Sequence, residues 1–430
     1  RTMHDSADWS EKPAKPNPAP YFAISVAHHD PVVKKRALSL ARATRNPEGQ
    51  PIAWLELLAD DPKVATDDLR QGPLSHLSRG TGSFFASTDW TKTATWVSLQ
   101  ASPLWADHQH SDQGHFEVVR GGDLLFTDPG DYDSNATSAH NCILVDDAGE
   151  NMEKTPNQAI YGQKVGMRRF EDTGRFVYGE VEYSAAYDAP HDSGKARSVT
   201  RAERAVVVSR APTSQSRSPG AARVVVYDRV TVRKGSYGVT FAIHPGAQPK
   251  GQAAAYRVDA GASSAELTAL LPKGTTFKLV KEPSIKTDDI FKKDDPAKGM
   301  LGLRLENASP KGATERRFLH VIASGGSGDG KLAAEAVEGK GVDGARLDNE
   351  AYLFTKDGPQ AKPAEVSYEV SEAATTHVVT GLAPKGHYSL AASKSGASCK
   401  VSLKPEGALV ASAAGTVTLT LAPGCAAKAP

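Results

Sequence analysis

From about residue 75 onward, apolar side chains recur with a period of two, and Gly/Pro-rich clusters break the pattern every ten to twenty residues. Successive side chains of a strand point to opposite faces, so this period describes strands and excludes a helical bundle for most of the chain. Thr95, Val97 and Leu99 alternate with Trp96, Ser98 and Gln100. Residues 116–119 and 124–126 flank Gly121-Gly122, a pair suited to a tight hairpin turn. Further β-rich runs lie at 142–145, 175–183, 205–208, 223–232, 239–243, 277–280, 301–305 and 318–322. The 38 glycines and 27 prolines supply the turns between them. The expected class is mainly β, a large antiparallel multi-sheet β-sandwich.

The first sixty residues differ. Pro31-Val32-Val33 opens a stretch with Ala37, Leu38, Leu40 and Ala41 at helical spacing, and Pro51-Ile52 opens a second with Trp54, Leu55, Leu57 and Leu58 on one side. Proline suits a first helical turn, where its missing N–H would be unbonded anyway. Two short one-sided helices and a Pro-rich leader (12–20) need something to pack against. They are expected to be the tail of a helical domain whose bulk lies upstream of Arg1. The chain starts without an initiator Met or a visible signal peptide, so it is expected to be a processed form or a piece of a longer protein. His28-His29 is read as structural. The resulting organisation is 1–72, the end of a helical domain; 73–375, the sandwich; and 376–430, a small C-terminal β-subdomain.

With 51 basic and 50 acidic side chains the net charge is +1, which argues against a nucleic-acid protein working by bulk charge. No apolar run approaches the ~18 residues of a membrane span. Of the three cysteines, Cys399 and Cys425 are 26 positions apart. That spacing leaves open a bridge or two unpaired thiols. A bridge would stabilise by roughly 3–4 kcal/mol in the chain-entropy model and would imply an oxidising compartment. Cys142 sits in an expected strand as a small buried apolar residue.

The chemistry concentrates in one segment. Asp107-His108-Gln109-His110-Ser111-Asp112 is followed by Gly114-His115-Phe116, then Asp128-Pro129-Gly130-Asp131-Tyr132, then His140-Asn141. In an extended strand His108 and His110 would share a face. Two imidazoles joined by a carboxylate and a third imidazole from neighbouring strands can make a His/His/Asp metal site, and zinc favours such N and O ligands.

As a set, these motifs resemble the heparinase II/III-like polysaccharide lyases. The matching elements are His108-Gln109-His110-Ser111-Asp112, Phe116, Gly122, Leu124-Leu125, Asp128-Pro129-Gly130, Tyr132 and residues 140–145 beginning His140-Asn141. Asp228-Arg229-Val230 is consistent with the long sandwich of that family. The resemblance covers about residues 20–430 in architecture and 76–146 in motif detail. It implies an N-terminal α/α toroid ahead of the sandwich, with the two leading helices as its last hairpin. It also implies His110, Asp128 and His140 as ligands of a structural zinc, and His108 as the cleft histidine. Only eleven residues separate Asp128 from His140, which shortens a cleft loop relative to several family members.

The reaction implied is β-elimination at a uronic acid. A base takes the C5 proton, a positioned group stabilises the charge developing at the C6 carboxylate, and the C4–O bond breaks. The family's toroid tyrosine and carboxylate-binding groups have no counterpart to map in this chain. Tyr132, Trp105 and Arg79 are further substrate-binding candidates: Tyr132 beside Asp128, Trp105 for stacking on a sugar face, and Arg79 for pairing a carboxylate. The implied partners are an acidic polysaccharide and the toroid segment, continuous or as a separate chain. The implied location is secreted or periplasmic. Two other readings compete: a metal-dependent glycan hydrolase with an open position on His110, Asp128 and His140, and a non-catalytic glycan-binding sandwich. The glycan itself, whether a glycosaminoglycan, alginate or a bacterial exopolysaccharide, is not specified by the residues.

Overall fold

A computed structural model describes residues 17–44, 53–102, 110–127, 136–147, 158, 164–187, 198–210, 218–281, 302–329 and 331–427. The chain divides into two compact units, Arg1–Leu74 and Ser75–Pro430.

Among its described residues the first unit holds three α-helices: α1 (Ala19–Ala27), α2 (Pro31–Ala43) and α3 (Ala53–Ala59). Asp30 caps α2 by accepting the Val32 N–H at 2.8 Å, and Pro31 fills the first turn. Phe22, Leu38, Ala41 and Ala59 form a small core, with Tyr21, Leu55 and Val64 against it. Helix α1 departs from the two-helix expectation. The Pro-rich leader ends inside its first turn, where Pro20 costs no hydrogen bond, and the His28 N–H closes its far end on the Ile24 carbonyl. The apolar residues of α3 do not share one buried face either. Leu55 packs inward, whereas Trp54, Leu57 and Leu58 are 65%, 83% and 75% exposed.

The described residues of the second unit form four sheets. Ser75–Ser78, Ser83–Ser87, Thr95–Gln100, Phe116–Arg120 and Asp123–Phe126 form a five-stranded antiparallel meander in chain order, closed by the expected Gly121-Gly122 hairpin. A four-stranded sheet carries Ile143–Asp146 at one edge, paired with Gly238–Ile243. An eight-stranded sheet has Val199–Ser209, Ala222–Val232 and Glu315–Gly326 at its centre. Its two faces are both buried. Val206, Val208, Val224 and Val226 pack with Phe116, Val118, Ile143 and Phe241 of the smaller sheets. Ala205, Val207, Val225 and Tyr227 pack against Ala345, Leu347, Tyr352 and Phe354 of a C-terminal nine-stranded sheet. A strand covered on both sides must be apolar at odd and even positions alike, which is why 205–208 and 224–227 read as continuous runs.

The nine-stranded sheet begins at Ala334–Lys340 and includes Val366–Ser371, Thr376–Thr380 and Val417–Thr420. Residues 376–430 therefore complete a sheet begun at residue 334 instead of forming one of their own. Thr376–Thr380 adds in parallel to Glu350–Thr355, two strands away from Val342–Leu347. Cys399 and Cys425 are joined by a disulfide inside this sheet's core, while Cys142 is buried outside that bridge, its Sγ 3.6 Å from the Gln113 carbonyl. Among the described residues no helix is long and apolar enough to cross a membrane.

Candidate functional site

Two loops meet at one end of the meander. The first, residues 110–115, leads into Phe116–Arg120. The second follows a 3-10 turn at Thr137–Ala139 and leads into Ile143–Asp146. His110 therefore stands in a loop instead of the expected strand, so strand alternation does not set its direction. His110, His115 and His140 are all buried. The rings of His110 and His140 lie 5.1 Å apart at 47°, and those of His115 and His140 lie 5.6 Å apart at 78°.

Asn141 fixes this arrangement through its backbone and its side chain. Its N–H donates to Nδ1 of His115 at 3.0 Å, and its Nδ2 donates to the Phe116 carbonyl at 2.8 Å. Its Oδ1 accepts the His244 N–H at 2.7 Å, and its carbonyl accepts from Arg204 Nη1 at 2.6 Å. One residue thus ties both histidine loops to the end of Gly238–Ile243 and to the eight-stranded sheet. Gln158 repeats the connection. Its Oε1 accepts the Gln113 N–H at 2.7 Å, its Nε2 donates to the Gln113 carbonyl at 2.9 Å, and its own N–H donates to Thr137 Oγ1 at 3.0 Å. Asp112 holds the first loop to the meander by accepting from Gln100 Nε2. Gly114 has φ +83°, and a Cβ there would stand 2.7 Å from the Tyr183 ring, so both backbone and space require glycine.

The tautomer of His115 follows from its hydrogen bond. Nδ1 accepts, so in the neutral ring the proton is on Nε2, and no lone pair remains for a metal. His110 and His140 are left as the candidate ligand pair. Two imidazoles about 2.0–2.1 Å from one zinc at a tetrahedral angle place their centroids roughly 5 Å apart, which the observed 5.1 Å matches. Among the described residues no group of three His, Cys, Asp or Glu side chains could hold a metal. The expected third ligand, Asp128, lies outside the described residues, as do His108, Trp105 and Tyr132. Arg79 is exposed in the turn between Ser75–Ser78 and Ser83–Ser87. The register Ser83↔Gln100, with the Gln100 N–H donating to the His115 carbonyl at 3.0 Å, puts that turn at the same end of the meander as the histidine loops.

Sequence reasoning missed His244, Gln158 and Arg204. His244 carries a weak signal, a histidine closing an apolar strand just before Pro245. Arg204 carries a better one, a charge bordering the apolar run 205–208. It has no exposed surface and bonds Asp228 with both Nε and Nη2. Burial works to lower its pKa, but the adjacent Asp228 carboxylate more than offsets this and holds it above the ordinary range. Arg204 also lies over the Phe116 and Phe241 rings, at 5.1 and 5.4 Å.

No curated protein matches the chain. Among solved structures, heparan sulfate lyase HepC from Pedobacter heparinus is 16% identical, with a TM-score of 0.47 over 78% of this chain and 48% of that one. A mutant of HepC is 15% identical, with a TM-score of 0.49 over 75% and 47%. A heparinase III is 14% identical, with a TM-score of 0.47 over 74% and 47%. The chain thus spans about half the length of these structures. The family model described as "Heparinase II/III-like, C-terminal" matches residues 81–325, a stretch that contains both histidine loops, Arg204, Asp228 and His244. Since that match takes in more than half of the chain, the chain belongs to the heparinase II/III-like family, through that family's C-terminal domain.

Proposed function

We propose that this chain is the sandwich part of a polysaccharide lyase that cleaves a uronic-acid-containing glycan by β-elimination. The observation that carries the reading is the approach of the buried His110 and His140 rings to 5.1 Å, within a chain of this family. His110, Asp128 and His140 would hold the metal, and zinc suits two imidazoles and a carboxylate. When bound, zinc would cross-link the two loops as a structural ion. The chain's own residues then supply positioning: Asn141 and Arg204 hold the loop ends, and His108, two residues before His110, presents its imidazole to the sugar. There it either takes the C5 proton or donates to the C6 carboxylate as charge develops. The C4–O bond breaks, the leaving oxygen takes up a proton, and a C4=C5 double bond remains. Arg79, Trp105 and Tyr132 would contact the substrate.

A helical toroid would supply the remaining catalytic groups, including the tyrosine. The exposed Trp54, Leu57 and Leu58 of α3 support helices packing there. The Cys399–Cys425 disulfide supports a secreted or periplasmic location.

The test is a screen of uronate glycans with this chain joined to a toroid segment, read by the ultraviolet absorbance of the conjugated C4=C5 product. The 430 residues alone are expected to bind metal yet give almost no elimination, because groups that act as a unit lose most of their effect when one is missing. Supplying the toroid should restore turnover, and His108→Ala should then abolish it without releasing metal. New reducing ends without the absorbance would favour hydrolysis. Binding without turnover would favour a glycan-binding sandwich.

A further inference from the structure

We propose that Arg304 is a positioning residue for His140. This role rests on the reading of His110 and His140 as metal ligands, and it belongs to a residue far outside the histidine motifs.

Leu303–Ala308 is part of the four-stranded sheet and pairs with Gly238–Ile243 at Ala242↔Glu306 and Ile243↔Leu305. Gly238–Ile243 pairs in turn with Ile143–Asp146, the strand that the second histidine loop enters. Leu305 packs in the same core as Phe241, Ile243 and Ile143. Alternation along the strand then sends Arg304 and Glu306 to the opposite face, where they are neighbours. Arg304 lies one position past the Ile243↔Leu305 pair, at the end of the sheet where the His244 N–H donates to Asn141 Oδ1.

Arg304 is buried, and its Nη1 donates to the Ser138 carbonyl at 2.9 Å, across 166 positions of sequence. Its Nε and Nη2 both donate to Oε1 of Glu306, at 2.9 and 2.7 Å. These charge-assisted bonds fix the plane of the guanidinium and leave Nη1 aimed at the turn. Ser138 is the middle residue of the 3-10 turn Thr137–Ala139, which the His140 N–H closes by donating to the Thr137 carbonyl at 3.2 Å.

His140 is thus held on both flanks. Asn141, after it, is tied to His115, Phe116, His244 and Arg204. The turn before it is tied to Gln158 at Thr137 and to Arg304 at Ser138. With both flanks fixed before a metal arrives, little backbone freedom remains to be lost on binding. Outer partners that orient a ligand change metal affinity by about ten- to a hundredfold when removed.

The test uses the whole 430-residue chain with two readouts: zinc affinity by competition with a chromophoric chelator, and amide hydrogen exchange of the metal-free chain. Arg304→Met should weaken zinc about tenfold or more. It should also speed exchange of the His140 and Asn141 amides about tenfold or more, with Phe116–Arg120 unchanged. Arg304→Met combined with Glu306→Leu leaves no carboxylate stripped of its partner, so it keeps the test alive if the single variant fails to fold. It should show the same two losses. Arg304→Lys keeps a donor within reach of Ser138 and should recover part of both. Tyr227→Phe removes a bond to Asp343 and should lower Tm with zinc affinity unchanged, which separates positioning from a general loss of stability. Unchanged exchange in both Met variants, or faster exchange with zinc affinity intact, would overturn the proposal. Faster local exchange in a chain whose zinc binding is absent, or is insensitive to His140→Ala, would overturn the metal reading alone and leave Arg304 as the residue that holds the turn.

Discussion

Arg204 and Asp228 stand directly opposite each other on neighbouring strands, both without exposed surface, with Nε 2.7 Å from Oδ1. The pair orients Arg204 so that its Nη1 reaches the carbonyls of Gly114 and Asn141, one on each histidine loop. A buried ion pair is weak evidence for stability as such. Its value here is that it aims a donor group at two backbone segments that belong to different sheets.

Arg204→Met should cost about 3–5 kcal/mol, because it leaves the Asp228 carboxylate buried and alone. Adding Asp228→Leu should recover part of that stability in a denaturant titration. It should not recover bound zinc, measured by elemental analysis, because the tether to Gly114 and Asn141 is still absent. Full zinc retention in the double variant would remove Arg204 from the positioning role.

His110→Ala, Asp128→Ala and His140→Ala should each release zinc and lower Tm, since binding to the folded state alone adds stability. His115→Gln should keep the metal while lowering Tm, because Nδ1 of His115 is already used by the Asn141 N–H. Loss of zinc from His115→Gln as complete as from His140→Ala would show that the tautomer argument fails.

Residues 1–72, expressed alone, should show no cooperative thermal transition. Among the described residues their core cluster has four buried side chains, too little apolar burial to balance the entropy of ordering the segment. A sharp melting curve would contradict this.

Stability should fall as pH drops below about 6.5, the unfolded histidine value. His320 is fully buried and stacked on Phe241 at 3.7 Å, and burial holds its pKa well below the usual range. Burial also lowers that of His377. A depressed folded pKa means that the unfolded chain binds the extra proton first, so the stabilisation is present above the unfolded pKa and lost as pH falls toward the folded one. Each ring contributes up to about 1.4 kcal/mol per pH unit in that window. Denaturation at pH 7 and 5 should show His320→Phe flattening the slope, and an unchanged slope would count against it.

Cys399→Ser should destabilise by roughly 3–4 kcal/mol, with reduction of the native chain giving a similar loss. A change confined to a few tenths would mean that the strand ladder at Val370↔Cys399 already holds the loop.

The period-two pattern determined the strands of the second unit, because alternation is a local property of the backbone. The Gly121-Gly122 hairpin and the runs at 223–232 and 239–243 appear in the structure close to where the sequence placed them. The clustering of histidines was also legible, since His110 and His140 are near in sequence, although their loops lead into strands of different sheets. What only the tertiary structure decided is how those loops are held. Gln158, Arg204 and His244 reach loop residues 45, 63 and 103 positions away through bonds that use backbone carbonyls and amides, which no side-chain motif records. The role of His115 was likewise invisible. Between three neighbouring imidazoles, a hydrogen bond to one nitrogen decides which ring can bind a metal, and that bond exists only once two distant loops have met.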